Sequence, residues 1–298
     1  MIAALAIALL SSPADPLPFA PPIDQPLRYR QTEHRLAPDG GDLRFTLTEE
    51  ISYARDGAGY VMTIRALSAD AQAPGPAATI FEAAMKPMLG VPVKLHLSPA
   101  GDPGALVDED ATWARIVAAL EASARALPPD DPPEHRTMIE RTAHGFATLA
   151  PAAREAMMKA PAVALLGLAV PDLAIGDTAP LGESVETPFG PALPSTGTIR
   201  RDPDSDGARH YRRDLATSSA AAVELAAGLR ARAVKADPAT RRQIAQQAGM
   251  VEHLHIHETG SITLSSSSGL LLASTQRTTS VDPVGEHPVS EQELRLLP

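Results

Sequence analysis

The chain has 298 residues and a net charge of −10 at pH 7, and it contains no cysteine. This length allows one large domain or two smaller ones, and it suffices to bury a core without disulfide bonds. The acidic balance and an aromatic content of 3 % argue against a nucleic-acid partner, which needs a basic face and stacking rings. The lack of cysteine excludes disulfides, thiol catalysis, cysteine-ligated zinc and cysteine lipidation.

The amino-terminal residues have the pattern of a secretory signal. Met1–Leu10 has the sequence MIAALAIALL, an apolar run shorter than the ~20 residues that span a bilayer. Ser12 and Ala14 supply small residues for a cleavage site that would leave Asp15 first, although no lysine or arginine precedes the run. We predict a signal peptide over residues 1–14, with an ordinary helix as the alternative. The mature protein is then expected to be periplasmic, not lipidated and without a transmembrane span.

A proline-rich linker over residues 15–26 precedes a run of predicted strands. The apolar residues of the clearest strand share one parity, which is typical of a half-buried strand: Leu43, Phe45, Leu47, Ile51 and Tyr53. Leu27–Leu36, Tyr60–Leu67 and Val91–Leu97 have similar patterns, with glycine-containing turns between the first three strands. This part of the chain predicts an antiparallel meander.

Two helical blocks interrupt the strands, near residues 108–160 and 219–249. The first predicts helices over 110–127, 134–149 and 152–159, and the second divides at Asp237-Pro238. Strands are predicted at 196–201, 208–215, 251–257, 261–266, 270–280 and 289–297. The order predicts a single α+β domain over residues 27–298. Its core is a large antiparallel sheet, either open or curved like a half-barrel, with helical insertions.

Three histidines alternate along one predicted strand, and they therefore share one face: His253, His255 and His257. Same-face neighbours are about 6.7 Å apart, so one ion reaches two of them and needs a further ligand from another strand. Glu258–Gly260 is predicted as a hairpin loop with a left-handed Gly260, which puts serine and threonine opposite the histidines. Two interpretations stay open: a polar solvent-facing stripe, or a metal site formed by these histidines.

Other motifs give no catalytic residue and no cofactor. Asp202–Gly207 matches the first half of a calcium loop, but Arg213 stands where a bidentate glutamate belongs, so we interpret it as a turn, with calcium as the alternative. Ser265–Ser268 is predicted to be a strand end and turn, since no G-x-S-x-G motif is present. Glu49 and Glu50 are adjacent in a strand and point to opposite faces, so they cannot act as a carboxylate pair.

Short segments carry a resemblance to a known group. These are Leu95–Gly101 before Trp113 and a helix, Pro171–Thr178 before a new meander, and the paired strands Gly260–Leu264 and Gly269–Ala273. Together with the leader they are similar to a group of uncharacterised exported β-rich bacterial proteins, in which a Gly-Asp-x-Trp segment opens the second half. Gly176-Asp177-Thr178 matches that segment, but no tryptophan follows. The resemblance implies helices inserted between strand runs and carries over no catalytic residue. In its fold, the chain also resembles periplasmic lipoprotein and lipid carriers.

We predict an exported envelope protein without a recognisable catalytic motif, acting as a binding or interaction module rather than an enzyme. One alternative is a carrier of a hydrophobic ligand or lipoprotein, with helices covering a curved sheet. This hypothesis is based on five methionines: Met85, Met88, Met138, Met157 and Met158. They can also be ordinary core residues. Another alternative is a metal-binding protein that uses the three histidines. An envelope protein or a hydrophobic small molecule is the expected partner, and the oligomeric state is left open.

Overall fold

The computed structural model describes residues 17–36, 41–73, 77–127, 132–166, 170–187, 190–234, 238–252, 254–282 and 285–298. The predicted signal peptide lies outside these residues and stays a prediction.

The described residues form eleven strands that join in one antiparallel sheet. The strands are β1 (Leu27–Leu36), β2 (Asp42–Asp56), β3 (Gly59–Gln72), β4 (Pro92–Leu97), β5 (Pro103–Val107), β6 (Thr178–Thr187), β7 (Gly190–Arg201), β8 (Ala208–Thr217), β9 (His255–Ser265), β10 (Leu271–Asp282) and β11 (Gly285–Leu296). Their order is β5-β4-β3-β2-β1-β11-β10-β9-β8-β7-β6, so β5 and β6 are the edges of an open sheet. The predicted α+β class is confirmed.

Helices occur in both predicted helical blocks. The helices are α1 (Ala77–Met85), α2 (Glu109–Ala126), α3 (Pro133–Ala147), α4 (Pro151–Leu166), α5 (Ser219–Ala233) and α6 (Pro238–Glu252), and a 3₁₀ turn follows α1 at Lys86–Met88. Among the described helices, none has both the length and the apolar character needed to cross a membrane. The first four helices are inserted between β3 and β6, and the last two form a pair between β8 and β9.

The alternating pattern of β2 decides which side of the sheet is buried. Ile51 and Tyr53 are fully buried, whereas the residues of the opposite parity are mostly half-buried or exposed. Their cross-strand neighbours on β3, Ile64 and Met62, are also buried. We call this side, which carries the core, the inner face. Burying each such side chain stabilises the fold by roughly 1.5–3 kcal/mol.

The first and last described strands, β1 and β11, meet in the middle of the sheet. β1 pairs with β2 on one side and with β11 on the other, and Tyr29 lies opposite Leu296. The strands of the amino-terminal part therefore form one half of the sheet, and those of the carboxyl-terminal part form the other half. The pairing of β1 with β11 joins these halves into one sheet with one main core.

The proline-rich segment before β1 contacts the core. The ring of Phe19 packs edge-on against Tyr53 and Tyr60, with centroid distances of 6.0 and 5.4 Å. The amide of Ala20 donates a hydrogen bond to the carbonyl of Ser268 over 3.0 Å. Although the sequence predicts a linker here, the described part of the segment lies along the core.

The predicted hairpin in residues 251–266 is wrong. Residues 251–252 end α6, and β9 runs without a turn through Glu258, Thr259 and Gly260. A Cβ on Gly260 would lie 2.5 Å from the carbonyl oxygen of Thr275 and 3.1 Å from Cγ of Arg213. The glycine therefore allows a close approach of neighbouring groups in the sheet. Glycine also favours turns, so the local sequence pattern does not distinguish a hairpin turn at Gly260 from a continuous strand.

Three elements were not predicted, and two of them are short. β5 is a five-residue edge strand that contains Pro103 and Gly104, and α1 has only nine residues. Residues 178–187, the third, form β6, which pairs along β7 from Thr178 opposite Arg200 to Thr187 opposite Gly190, so β7 is longer than the strand expected at 196–201. Short elements that tertiary contacts stabilise carry little periodic signal of their own.

Candidate functional site

A cavity of about 330 Å³ lies between the inner face of the sheet and the first helical block. Strands β2, β3 and β4 form its floor, and α1, the 3₁₀ turn, α2, α3 and α4 contribute the rest of the wall. Its lining residues are Leu47, Glu49, Ile64, Ala66, Met85, Met88, Val91, Val93, Ile116, Ala119, Leu120, Phe146, Met158 and Pro161. Small-molecule sites typically measure about 300–1,000 Å³, so the cavity has the size of a site for a small ligand.

A β-bulge shapes the floor of the cavity. Thr48 pairs with Ser68 and Glu49 pairs with Ala66, so Leu67 is an extra residue on β3. Bulges bend a strand locally and re-aim the neighbouring side chains, and they are frequent beside functional sites. The bulge lies directly beside Glu49, which is on the inner face.

The apolar side of α2 forms one wall. Ile116, Ala119 and Leu120 have the i, i+3, i+4 spacing that places side chains on one helix face. Glu109 and Asp110 occupy the first turn, where negative charge is favourable for the helix dipole. The apolar spacing that predicts α2 from the sequence therefore also accounts for the apolar wall of the cavity.

Trp113 of α2 packs against α3 and so positions another part of the cavity wall. Its ring stacks on Phe146 with an interplanar angle of 2° and a centroid distance of 5.5 Å. Its indole N–H donates to the carbonyl of Phe146 over 3.3 Å. Trp113 is buried and Phe146 lines the cavity, so the stacking and the hydrogen bond hold the Phe146 ring at the cavity wall.

Glu49 is the acidic member of an otherwise apolar lining among the described side chains. The residue is 8 % exposed, and burial raises the pKa of its carboxyl above the usual range. Its cross-strand neighbour on β1 is Tyr29, whose hydroxyl donates to the carbonyl of Leu271 over 2.8 Å. Within the described part of the chain, no hydrogen bond or ion pair reaches the Glu49 carboxyl.

A second buried acid lies on the inner face of the other half of the sheet, and it is well partnered. Arg213 bonds Glu258 and also Glu183, the latter over 2.7 Å, while the amide of Gln276 donates to Glu258 over 2.7 Å. We call these four residues the Arg213 cluster. Burial raises the pKa of Glu258 despite the opposing effect of Arg213. Both carboxylates have hydrogen-bond partners within the cluster, so it holds strands together rather than presenting a free acid.

The histidines proposed as metal ligands are only partly described. His253 lies outside the described residues, His255 is exposed, and Nε2 of His257 lies 2.9 Å from Asp214 Oδ1. Across the described residues, no group of three histidine, cysteine, aspartate or glutamate side chains has metal-binding geometry. The metal site at His253, His255 and His257 stays a prediction.

Two other motifs are turns, as predicted. Asp202–Gly207 connects β7 to β8, and its carboxylates bind nearby arginines. Arg201 Nη2 binds both oxygens of Asp204 over 3.0 and 2.8 Å, and Arg212 Nε lies 2.6 Å from Asp202. Ser265–Ser268 ends β9 and turns towards β10.

The adjacent glutamates point to opposite faces, as predicted, but the place of Glu49 in an apolar cavity was not predicted from the sequence. Glu50 lies 3.4 Å from Nη1 of Arg65, whereas Glu49 lies in the cavity. A signal was present: Glu49 shares the parity of Leu47 and Ile51 on either side of it. A single acid on the apolar parity of a strand is a candidate site residue by itself.

The methionines divide between cavity and surface. Met85, Met88 and Met158 line the cavity, and Met157 is 44 % exposed. The side chain of Met138 lies outside the described part of the structure. Thioether side chains adapt to different apolar shapes, which suits a wall that accommodates a flexible ligand.

No family model and no curated protein sequence matches this chain. One similar solved structure is titled lipid–protein interactions in lipovitellin, with 11 % identity and a TM-score of 0.40. That match covers 92 % of this chain and 25 % of the other, so this chain spans about a quarter of its length. A porin-like protein from Bacteroides uniformis has 8 % identity and a TM-score of 0.16, with coverage of 94 % and 99 %. Both TM-scores are low, so neither structure informs the function.

Proposed function

We propose that this protein is a non-catalytic binding protein of the bacterial envelope and that it holds a small apolar ligand between sheet and helices. The observation that supports the proposal most is the cavity of about 330 Å³. All of its described lining side chains except Glu49 are aliphatic, thioether or aromatic. A concave, mostly apolar pocket of this size with few polar groups is the usual form of a small-molecule site.

The exposure of the lining residues indicates where a ligand can enter the cavity. Pro161 is exposed, and Met85, Met88 and Phe146 are half-buried, whereas Ile64 and Ala119 are buried. The cavity therefore has an accessible rim and a buried floor. A ligand that enters at the rim leaves water and gains contact with the apolar wall, which favours binding by about 25 cal/mol per Å² of apolar surface buried.

Ala119→Phe is expected to weaken the binding of 1-octanol at least about tenfold, because the new ring occupies space that the ligand needs. A phenyl ring is the size of the benzene that an engineered cavity of about 150 Å³ holds, so it fills roughly half of this one. Isothermal titration calorimetry on the purified protein measures the effect.

Ala118→Phe is the matched control, since Ala118 is the exposed neighbour on the same helix. This variant should bind 1-octanol as the wild type does. If Ala119→Phe binds 1-octanol as tightly as the wild type, the cavity is not the ligand site and the proposal fails.

Export is supported by the apolar run Met1–Leu10 and the small residues that follow it. We expect the protein recovered from the envelope fraction of its host to begin at Asp15. Intact-mass spectrometry determines this end. A chain that retains residues 1–14 and is found in the cytoplasmic fraction would contradict the envelope location without affecting the ligand site.

A further inference from the structure

The Glu49 carboxyl is a buried acid with no partner among the described residues, and it faces an apolar cavity. The chain's own groups near it are engaged elsewhere. The Tyr29 hydroxyl donates to the carbonyl of Leu271, and Glu50, the next residue, points to the opposite face beside Arg65. Burying an unpaired acid is costly, and a ligand group that hydrogen-bonds to the carboxyl would offset that cost.

The chemistry of a carboxyl defines the partner that would satisfy it. An ionised carboxylate only accepts hydrogen bonds, attracts a cation and repels an anion. A fatty acid would bring a second carboxylate towards the first. An ammonium group supplies both the donors and the opposite charge, and charge-assisted hydrogen bonds are about twice as strong as neutral ones.

We infer that the cavity binds an aliphatic primary amine, with the ammonium group against Glu49 and the hydrocarbon chain along the apolar lining. This inference rests on the proposed function, because it assumes that the cavity is a ligand site. Glu49 is 8 % exposed while Pro161 is exposed, so the polar group of the ligand lies at the buried end and the chain extends towards the rim.

The volume limits the length of the chain. A cavity of about 150 Å³ holds benzene, with six non-hydrogen atoms, so in proportion the 330 Å³ found here holds roughly thirteen. An eight-carbon amine therefore fits, and a long-chain membrane lipid does not. The thioethers of Met85, Met88 and Met158 tolerate variation in chain shape, so Glu49 determines which headgroup is accepted.

The test compares three ligands with the same chain and different headgroups: octylamine, 1-octanol and octanoate. Calorimetric titration of the wild type at pH 7 should give about tenfold tighter binding of octylamine than of 1-octanol, with octanoate the weakest. Glu49→Gln should lose the preference for the amine and keep its affinity for 1-octanol. Glu50→Gln is the matched control, because that side chain is on the other face, and it should retain the wild-type order.

The variant is expected to fold, since an amide of equal size replaces a buried acid, and circular dichroism verifies this. Equal preference for octylamine in the wild type and in Glu49→Gln would overturn the role of Glu49. Tighter binding of octanoate than of octylamine would overturn the amine as the ligand class. Failure of the wild type to bind any of the three ligands would instead overturn the proposed function itself.

Discussion

Arg213→Met is expected to lower the free energy of unfolding by about 3–5 kcal/mol at pH 7, because it leaves buried carboxylates without their cation. The Glu258 side chain is 5 % exposed and that of Glu183 is 30 % exposed, and Arg213 bonds both. Methionine retains most of the aliphatic stem, so the decrease in the free energy of unfolding measures the effect of removing the positive charge. Urea denaturation followed by circular dichroism measures it.

The loss of stability in Arg213→Met should increase as the pH rises. Burial already raises the pKa of Glu258, and Arg213 opposes that rise, so removing the arginine raises this pKa further. A carboxyl whose pKa is raised in the folded state binds its proton more readily there than in the unfolded chain. Its stabilising contribution is present below the unfolded value of about 4.3 and is lost as the pH rises through the folded value. Arg213→Met should therefore be close to the wild type at pH 4 and far less stable at pH 7.

A second substitution separates charge from packing in this cluster. Adding Glu258→Gln to Arg213→Met removes the stranded carboxylate and keeps a partner for Gln276. The double variant should recover to within about 1 kcal/mol of the wild type, since neutral replacements of a buried ion pair are often tolerated. If the double variant is as unstable as Arg213→Met alone, the unpaired Glu258 carboxylate is not the cause of the lost stability.

Gly197→Ala is expected to destabilise the protein by about 3 kcal/mol, at the upper end of what overpacking costs. Gly197 lies in β7 opposite Leu215 of β8, and a Cβ there would overlap the carbonyl oxygen of Asp214 and come within 2.8 Å of Cα of Leu215. Both obstacles are backbone atoms, so relief requires β7 and β8 to separate locally. The loss appears as a lower denaturation midpoint with an unchanged denaturant slope.

Gly182→Ala provides the comparison on the adjacent strand. A Cβ at Gly182 would meet the carbonyl oxygen of Ser195 at 3.9 Å, an ordinary contact. Alanine is favoured over glycine inside a strand by about 0.5–1 kcal/mol, so this variant should be as stable as the wild type or slightly more stable. Equal losses in both variants would mean that glycine flexibility, and not the close approach to β8, is what the sheet requires at these positions.

Local periodicity predicted many of the elements but not how the strands are arranged. Alternation over residues 43–53 and the helical spacing after Asp110 predicted β2 and α2, because each element buries one face. The pairing of β1 with β11 depends on residues more than 250 positions apart, for example Tyr29 and Leu296, and no local pattern encodes it. The floor and walls of the cavity likewise come from segments distant in sequence.

The candidate site was only partly accessible from the sequence for a related reason. The methionines predict an apolar binding face, and among the described side chains Met85, Met88 and Met158 line the cavity. Glu49 was considered only as one of two adjacent acids, and a pair on opposite faces has no joint chemistry. Its parity with Leu47 and Ile51 carried the information that it points into the core.

The central position of β11 has a consequence for how the chain acquires its structure. This strand contains residues 285–296, so it is synthesised after the other ten described strands, yet it lies in the middle of the sheet between β1 and β10. Until it is synthesised, β1 and β10 each present an unpaired edge, and the halves cannot join. Folding thus requires contacts between distant parts of the chain, which are slow to form.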